Sequence, residues 1–346
     1  MAGTFLTRST QVPASPEFML DSSLATGIYA AGAMKYVVFV PGASAIASMG
    51  WTGLPYRVLV CFQGRGTGTY TTLTDAGKQC SHQTNVVAQK LGYGGNADGS
   101  LATPDANWPL LCVFPQFTTV WTGDASLGST PLKDRAIVII TQAVMRDVFA
   151  NYNCDMSRIY LTGISAGSFA GFHYLYGRLV EPTTYTIDFA AYIPCATWIG
   201  PEILTTVPNM DPTEDYVNVT TPKVARALMK AGIPIWQFNS VNDDGGIGPA
   251  SYNPVISSFI SARPPSVVAV GATSTERISP PYYHSTEYTG GSAPNHNGTW
   301  NKAYGNGVLG GPMVVTDPLW KWMNDQQFIK HPNKYLQRVE PTRRWA

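Results

Sequence analysis

The sequence has few charged residues for its length. Asp, Glu, Lys and Arg make up 13% of the 346 residues, whereas ~25% is usual for a globular domain. The formal net charge is +1 and no long basic or acidic run occurs, so nothing in the composition supports nucleic acid or a charged membrane surface as a partner. Uncharged polar residues, 33 Gly and 26 Pro take the place of the charges. We interpret this loop-rich composition as typical of an extracellular or assembly-associated protein, such as a virion component.

Cysteine and metal-ligand patterns are also scarce. The five cysteines, Cys61, Cys80, Cys112, Cys154 and Cys195, are widely spaced and include no CxxC pair. Their spacing indicates neither a zinc site nor a disulfide framework. No HxH, HExxH or clustered-carboxylate pattern occurs, and no nucleotide-binding glycine motif is seen, so we expect no metal and no cofactor. Two of the cysteines, Cys61 and Cys112, lie in apolar runs and are predicted to be core residues.

Long hydrophobic runs are missing too. No apolar run reaches the ~18 residues that a membrane-spanning helix needs. The first residues, MAGTFLTRSTQVPASPEF, lack the apolar segment of a secretory signal. We therefore expect neither a membrane span nor a cleaved signal peptide. Hydrophobic residues still make up 44% of the chain, which is enough for a sizeable core.

What the chain has in quantity is short apolar runs, separated by turns and helical stretches. The predicted strands are Lys35–Pro41, Arg57–Gln63, Leu110–Pro115, Arg158–Gly163, Phe189–Pro194 and Pro234–Phe238. The predicted helices are Thr141–Tyr152, Ala166–Leu179, Pro222–Lys230 and Leu319–Phe328. Buried strands that alternate with helices predict an α/β fold with a mostly parallel central sheet and helices on both faces.

The same pattern suggests how the chain is divided. We expect one main domain at residues 31–330, an irregular N-terminal arm at 1–30 and a C-terminal tail at 331–346. The stretch 245–294 is rich in Pro, Gly, Ser and Tyr and is predicted to be a loop-rich insertion near the functional site, with one strand at Val267–Val270. Aromatic residues around it either stack on a sugar or aryl acyl group, or pack the insertion onto the body. They are Tyr252, Tyr282, Tyr283, Tyr288 and Trp300.

The segment Gly163-Ile164-Ser165-Ala166-Gly167 fits the pattern GxSxG. It follows a predicted strand and opens a predicted helix, which is the setting in which this motif forms a nucleophile elbow. The serine must sit on a sharp turn, and small residues two positions away on either side let strand and helix approach. The helix N-terminus then brings N–H groups and a positive dipole to a developing oxyanion. The alternative is an ordinary glycine-flanked turn with an idle serine.

A nucleophilic serine needs a histidine base held by a carboxylate. In this fold the three residues follow one another in the order Ser, acid, His. By that order His82 comes too early, His173 lies two turns along the elbow helix, and His331 lies in the tail. Chain order leaves both His284 and His296 open.

Two further features fit the same chemistry. Asp243 and Asp244 follow the predicted strand Pro234–Phe238, where the acid is expected, although an Asn-Asp-Asp-Gly turn can equally be a solvated loop. The turn Gln63-Gly64-Arg65-Gly66 follows an early strand and offers a second N–H for an oxyanion hole. Glycine-rich turns of this kind are common after strands, so the signal is weak by itself.

Several segments together resemble the polyhydroxybutyrate-depolymerase and feruloyl-esterase-like family of α/β-hydrolases, which includes members known only as predicted peptidases. The matching segments are Lys35–Pro41 (opening strand), Val58–Gly66 (strand into HGxG), Phe114-Pro115-Gln116 with Trp121 (APQ), Asp155–Gly167 (DxxRIYLTGxSxGG), Pro234–Asp243 (PIWxFHGxxD), His296 with Trp300, Ala303 and Tyr304 (HxxWxxAY), and Trp320–Gln326 (WxxxQ). The resemblance spans roughly residues 35–328 and is most specific at the elbow.

The resemblance implies an α/β-hydrolase fold with a catalytic triad. In that triad Ser165 is the nucleophile, His296 the general base and acid, and Asp243 the orienting carboxylate, with Asp244 as the alternative acid. The oxyanion hole is implied to consist of the N–H groups of Arg65 and Ala166.

The sequence departs from the family pattern in three segments. Gln63-Gly64 stands where the family has His-Gly before the oxyanion turn, and Asn239-Ser240 stands where it has His-Gly before the acid. Ser168 replaces the second glycine after the elbow. The change at Asn239-Ser240 also loosens the alignment at Asp243.

We therefore expect a serine carboxylic-ester hydrolase that acts through an acyl-Ser165 intermediate on acyl esters of polysaccharides or on polyesters. One alternative is a non-catalytic α/β-hydrolase body that serves as a structural or binding component of an assembly such as a virion. Another is an assembly-borne polysaccharide esterase. The expected partner is an ester substrate, and in the two alternatives also an assembly or virion.

Overall fold

A computed structural model gives the arrangement of the chain. It describes residues 3–12, 32–64, 87–88, 91, 108–115, 132–180, 182, 185–197, 199, 221–262, 266–270, 274–279, 283–304, 318–329 and 337–338. The strands are β1 (Thr4–Val12), β2 (Gly32–Val40), β3 (Tyr56–Phe62), β4 (Leu111–Phe114), β5 (Cys154–Ile164), β6 (Ala191–Cys195), β7 (Ile235–Ser240), β8 (Ser266–Val270), β9 (Ser274–Ser279), β10 (Tyr283–Tyr288), β11 (Phe328–Ile329) and β12 (Gln337–Arg338). The helices are α1 (Ala43–Ser48), α2 (Leu132–Asn151), α3 (Ala166–Val180), α4 (Thr221–Lys230), α5 (Pro249–Ala262), α6 (His296–Ala303) and α7 (Pro318–Asp325).

Ten of these strands form one sheet in the order β1-β2-β4-β3-β5-β6-β7-β10-β9-β8. The six strands from β4 to β10 in this order are parallel to one another. Strand β2 runs antiparallel to both of its neighbours, and β9 does the same at the other end. A mostly parallel sheet of this order, with helices on its faces, is the α/β-hydrolase fold, so the predicted fold class is confirmed.

Alternate residues of the central strands supply two separate cores. In β3, Val58, Val60 and Phe62 belong to one buried cluster, whereas Leu59 and Cys61 belong to the other. This is the two-residue period of a strand that is covered on both faces. Helices α2 to α5 complete the first cluster, and α6 and α7 complete the second. Among the described residues, no helix is both long enough and apolar enough to cross a membrane.

The cysteine predictions fall within these cores. Cys61 and Cys112 are buried, as predicted from the apolar runs around them. The four described cysteines are all free thiols, and Cys80 lies outside the described residues.

The N-terminal arm differs from the expectation of an irregular segment at 1–30. Residues Thr4–Val12 form the edge strand β1 and pair antiparallel with β2 along their whole length. The side chain of Phe5 packs against Phe39 with ring centroids 5.0 Å apart. An edge strand has one side open to solvent, so a polar sequence such as TFLTRSTQV does not reveal it as a strand. Of the predicted tail at 331–346 only β12 is described, and the bounds 31–330 of the main domain stay a prediction.

The stretch 245–294 is not a loop-rich insertion. It contains α5, β8, β9 and β10, which extend the sheet beyond β7, and β8 includes the strand predicted at Val267–Val270. In α5 the buried side chains are Tyr252, Val255, Ile256 and Phe259, which have the i, i+3, i+4, i+7 spacing of a helix that packs on one face. Ser, Asn and Pro between these positions conceal the helical pattern in the sequence.

The aromatic residues of this region pack the molecule together. Tyr252, Tyr283, Tyr288 and Trp300 are at most 5% exposed, so they have no face open for stacking on a sugar. Tyr282 lies outside the described residues. Of the two interpretations weighed for these residues, packing onto the body is the one that the structure supports.

Candidate active site

Ser165 occupies the sharp turn between β5 and α3. Its φ is +53°, in the left-handed region that residues with a side chain rarely adopt. Such a conformation costs on the order of 1–3 kcal/mol and persists only where its surroundings fix it. A backbone strained in this way at a strand-to-helix turn is the geometry that the GxSxG pattern predicts.

The two glycines of the pattern allow close contact between backbones. A Cβ on Gly163 would lie 2.4 Å from the carbonyl oxygen of Gly167, so strand and helix meet there without room for a side chain. A Cβ on Gly167 would lie 2.4 Å from the carbonyl oxygens of Phe62 and Gln63 at the end of β3. The backbone of the elbow at Gly167 therefore packs directly against the backbone at the end of β3, just before Arg65.

Backbone hydrogen bonds hold the strained residue from both sides. The N–H of Ser165 donates to the carbonyl of Cys195 at 3.1 Å. The carbonyl of Ser165 accepts from the N–H groups of Ser168 at 2.9 Å and Phe169 at 3.2 Å. Ala166 is the first residue of α3, and the first N–H groups of a helix have no partner within it. The N–H of Ala166 thus belongs to the positive end of the α3 dipole.

The predicted second donor of an oxyanion hole, Arg65, lies outside the described residues. Gln63 and Gly64 just before it are buried at the carboxyl end of β3. The role of Arg65 stays a prediction.

Asp243 and His296 are in direct contact. The Nδ1 atom of His296 lies 2.9 Å from each carboxylate oxygen of Asp243. The side chain of Asp243 is 0% exposed and that of His296 is 14% exposed. The same carboxylate also accepts the N–H groups of Gly245 at 2.9 Å and Ile247 at 3.3 Å. Two backbone donors therefore fix the orientation of the carboxylate that faces the imidazole.

Asp244 contacts the same histidine in a different way. Its Oδ1 accepts the backbone N–H of His296 at 3.0 Å. His296 is the first residue of α6, so a carboxylate here satisfies one of the unpaired N–H groups of the helix and interacts favourably with its dipole. The two neighbouring carboxylates thus divide their contacts: Asp243 binds the ring and Asp244 binds the backbone.

The elbow and the Asp243–His296 pair lie at the same edge of the sheet. Strands β5, β6 and β7 are adjacent and parallel, so β5 and β7 are about 10 Å apart. Ser165 directly follows the last residue of β5, and Asp243 follows the end of β7 by three residues. Helix α6 is tied back to β5 by a hydrogen bond of 3.2 Å from Trp300 Nε1 to Thr162 Oγ1. This edge is where α/β proteins place their ligands.

The other histidines lie elsewhere. His284 is the second residue of β10, at the amino end of that strand, where its ring stacks on Trp236 at 4.0 Å. His173 is buried in α3, and its Nε2 lies 2.8 Å from the hydroxyl of Tyr185. His82 and His331 lie outside the described residues. Of the two candidates that chain order left open, His284 therefore lies at the amino ends of the parallel strands, on the opposite side of the sheet from Ser165 and Asp243.

Sequence reasoning missed several residues that shape this site. Gly245 packs directly against the ring of His296, where a Cβ would lie 2.5 Å from Cγ and Nδ1. Ala196, after β6, is a second non-glycine residue with positive φ, at +46°. The hydroxyl of Ser240 donates to the carbonyl of Pro294 at 2.5 Å, two residues before His296. The sequence marked Ser240 only as a departure from a family motif and Gly245 only as part of a turn, because the contacts of each position involve neighbours that are distant in the chain.

Comparisons with known proteins found solved structures of low sequence identity. No protein-family model matches the chain, and no curated protein is similar to it in sequence. The chain is similar to a thermostable esterase at 16% identity and a TM-score of 0.45, over 93% of this chain and 63% of the esterase, so it spans less than two thirds of that protein's length. A fluorophosphonate-binding serine hydrolase of Staphylococcus aureus matches at 13% identity and a TM-score of 0.44, over 93% of this chain and 99% of the hydrolase. The feruloyl esterase module of Clostridium thermocellum, complexed with sinapinate, matches at 13% identity and a TM-score of 0.36, over 75% of this chain and 74% of the module.

Proposed function

We propose that this protein is a serine ester hydrolase in which Ser165 is the nucleophile, His296 the general base and acid, and Asp243 the orienting carboxylate. One observation supports this most strongly: Nδ1 of His296 lies 2.9 Å from both oxygens of Asp243, at the sheet edge where the strained elbow begins. A carboxylate can only accept a hydrogen bond, so the hydrogen of a neutral imidazole belongs on Nδ1. Nε2 then has the lone pair that a general base needs.

The reaction that we propose is acyl transfer in two halves. Ser165 Oγ attacks the ester carbonyl carbon while its proton passes to Nε2 of His296. The tetrahedral intermediate collapses, the bond to the alkoxy oxygen breaks, and His296 returns the proton to the departing alcohol. Water then attacks the acyl-Ser165 carbonyl, with His296 again taking and returning a proton, and releases the carboxylic acid and free Ser165.

Charge on the carbonyl oxygen needs hydrogen-bond donors. We propose the N–H of Ala166 as one, since it lies at the positive end of α3, and the N–H of Arg65 as the other. A single donor of this kind typically contributes 10²–10³-fold in kcat.

For the substrate we propose acyl groups esterified to a polysaccharide, or a polyester. The support is the sequence resemblance to polyhydroxybutyrate depolymerases and feruloyl esterases. The buried aromatic residues of α5, β10 and α6 do not take part in this recognition, because they have no exposed face.

The first test is hydrolysis of p-nitrophenyl acetate and butyrate by the wild type, Ser165→Ala and His296→Ala. We expect both variants to lose at least ~1000-fold in kcat, since the members of a triad act as a unit. His284→Gln is the matched control, because it changes the other histidine that chain order allowed, and it should retain activity. If the wild type hydrolysed these esters no faster than Ser165→Ala, the proposed enzymatic function would be rejected in favour of a non-catalytic binding component.

The neighbouring carboxylates provide a second test. Asp243→Asn replaces the oxygen that faces Nδ1 by an amide, which favours the wrong imidazole tautomer, and we expect kcat to fall by about 10⁴-fold. Asp244→Asn removes charge only from the backbone contact at the start of α6, so the loss should stay below ~10-fold. Steady-state kinetics on the same esters measures both. Equal losses in the two variants would contradict the assignment of Asp243.

A further inference from the structure

Three buried polar side chains connect the carboxyl ends of the strands that carry the site. Ser168 in the first turn of α3, Thr197 after β6 and Asn239 in β7 are each 0% exposed. Two of them, Ser168 and Asn239, are among the positions at which the sequence departs from the family pattern. Burying polar groups costs free energy unless they are hydrogen-bonded, so their contacts show what they do there.

The three residues form a continuous bridge to the nucleophile. The Oγ of Ser168 lies 2.6 Å from the carbonyl oxygen of Ser165 and 2.7 Å from Oγ1 of Thr197. A hydroxyl has one hydrogen, and the carbonyl can only accept, so Ser168 donates to Ser165 and accepts from Thr197. The N–H of Thr197 in turn donates to Oδ1 of Asn239 at 3.2 Å.

This bridge acts on the two strained positions of the site. Ser165 and Ala196 are the non-glycine residues with positive φ among the described residues, at +53° and +46°. The bridge fixes the carbonyl of Ser165 and the N–H of Thr197, which is the group directly after Ala196. Backbone hydrogen bonds from Ser165 to Cys195 and from Ala196 to Phe238 complete the frame. Strained backbone persists only when it is held in this way.

The bridge also leads to the Asp243–His296 pair. Asn239 is followed by Ser240, whose hydroxyl donates to the carbonyl of Pro294 at 2.5 Å and accepts the N–H of Asn242 at 3.2 Å. A chain of hydrogen-bonded residues therefore extends from the carbonyl of Ser165, past the end of β6, to the turn that precedes Asp243 and the turn that precedes His296.

Asn239 uses only part of its hydrogen-bonding capacity. Its Nδ2 is buried and has no hydrogen-bond partner among the residues that the structure describes. An apolar side chain at this position would avoid burying that amide nitrogen, but it would also leave the N–H of Thr197 without its acceptor. The hydrogen bond to Thr197 is therefore what the polar side chain of Asn239 contributes here.

We propose that Ser168, Thr197 and Asn239 are positioning residues that hold the Ser165 hydroxyl in its reactive orientation relative to His296. This inference rests on the proposed serine-hydrolase function. It assigns the departures at Ser168 and Asn239 to one shared structure that spans the ends of β5, β6 and β7.

The test compares Thr197→Val, which removes the hydroxyl at almost constant volume, with Thr197→Ser, which keeps it. Two rates are measured on the full chain: turnover of p-nitrophenyl butyrate, and inactivation by an alkyl fluorophosphonate, in which the Ser165 O–P bond forms as fluoride leaves with the serine proton. Misplacing a reacting group slows chemistry more than binding. We expect Thr197→Val to lower both kcat and the inactivation rate by about tenfold or more, with KM within about twofold, and Thr197→Ser to match the wild type.

The outcomes separate this inference from the proposed function. A wild type that the fluorophosphonate does not label at Ser165 rejects both. A labelled, active wild type with Thr197→Val equally fast, even at a lowered Tm, rejects the positioning role alone and leaves a structural one. If Thr197→Val does not fold, Ser168→Ala removes the central hydroxyl of the same bridge and is judged by the same two rates.

Discussion

At the scale of single residues, the histidine depends on the absence of a side chain beside it. Gly245 lies in the turn after Asp243, and its backbone faces the imidazole of His296. The Nδ1 atom of this ring lies 2.9 Å from each carboxylate oxygen of Asp243, which holds the ring in place. An ideal Cβ at Gly245 would lie 2.5 Å from the ring atoms Cγ and Nδ1. Any side chain there forces either the ring or the turn to move.

We therefore expect Gly245→Ala to reduce kcat/KM for p-nitrophenyl butyrate at least tenfold, because displacement of the imidazole disturbs the geometry of proton transfer. Gly248→Ala is the matched control. It lies in the same loop, a Cβ there meets nothing within 4 Å, and its activity should be that of the wild type. Identical kinetics for the two variants would show that the ring does not depend on this contact.

The two aspartates after β7 show that the residue type alone does not determine which carboxylate contacts the histidine ring. They are adjacent and chemically identical, and the sequence alone left both open as the acid. Backbone donors from Gly245 and Ile247 turn the Asp243 carboxylate toward the ring, whereas Asp244 faces the start of α6. The fold of the turn, rather than the residue type, separates them.

At the scale of elements, the edge strand β1 is fastened to α2 by a small polar cluster. Arg8 Nε donates to Asp147 Oδ2 at 2.9 Å, and the hydroxyl of Tyr36 donates to the same oxygen. Burial by itself would raise the pKa of Asp147, but the hydrogen bonds from Tyr36 and Arg8 outweigh it and hold the pKa below its ordinary value of 3.8. The folded state thus favours the ionised carboxylate.

A carboxylate whose pKa is lower in the folded state stabilises the protein at pH values above its pKa in the unfolded chain. This contribution disappears as the pH falls through the pKa of the folded state. We expect Asp147→Asn to lower Tm at pH 7 and the difference from the wild type to shrink as pH falls below about 3.8. Thermal unfolding followed by circular dichroism between pH 7 and pH 2 measures this. A Tm difference that is independent of pH would mean that the carboxylate charge does not contribute.

Elements also differ in how well the sequence revealed them. Strands β3, β4 and β7 and helix α3 were predicted to within two residues of their observed bounds, because buried elements carry continuous or periodic apolar residues. Strand β5 begins four residues before its predicted start at Arg158. Strand β1 and helix α5 were not predicted. A polar edge strand takes its stability from the hydrogen bonds of its neighbour β2, and the core-facing residues of α5 are diluted by Ser, Asn and Pro.

At the scale of the whole molecule, the parallel order of β5, β6 and β7 is what assembles the candidate site. The residues that we propose as triad members are 78 and 53 positions apart (243 − 165 and 296 − 243). They lie on the same side of the sheet because the carboxyl ends of parallel strands all lie there. The hydrogen bond from Trp300 to Thr162 holds α6 against β5 on that side. The same order places Thr197 between Ser168 and Asn239.

The sequence by itself determined the fold class and the elbow, since both depend on local patterns: apolar strands alternating with helices, and small residues around a serine between strand and helix. It also narrowed the candidates for acid and base to two residues each, and the family resemblance favoured Asp243 and His296. Only the tertiary structure decided that Asp243 rather than Asp244 faces the ring, that His284 lies at the opposite edge, and that 245–294 extends the sheet. The physical reason is that each of these depends on contacts between segments far apart in the chain, formed when the strands align and the turns between them close.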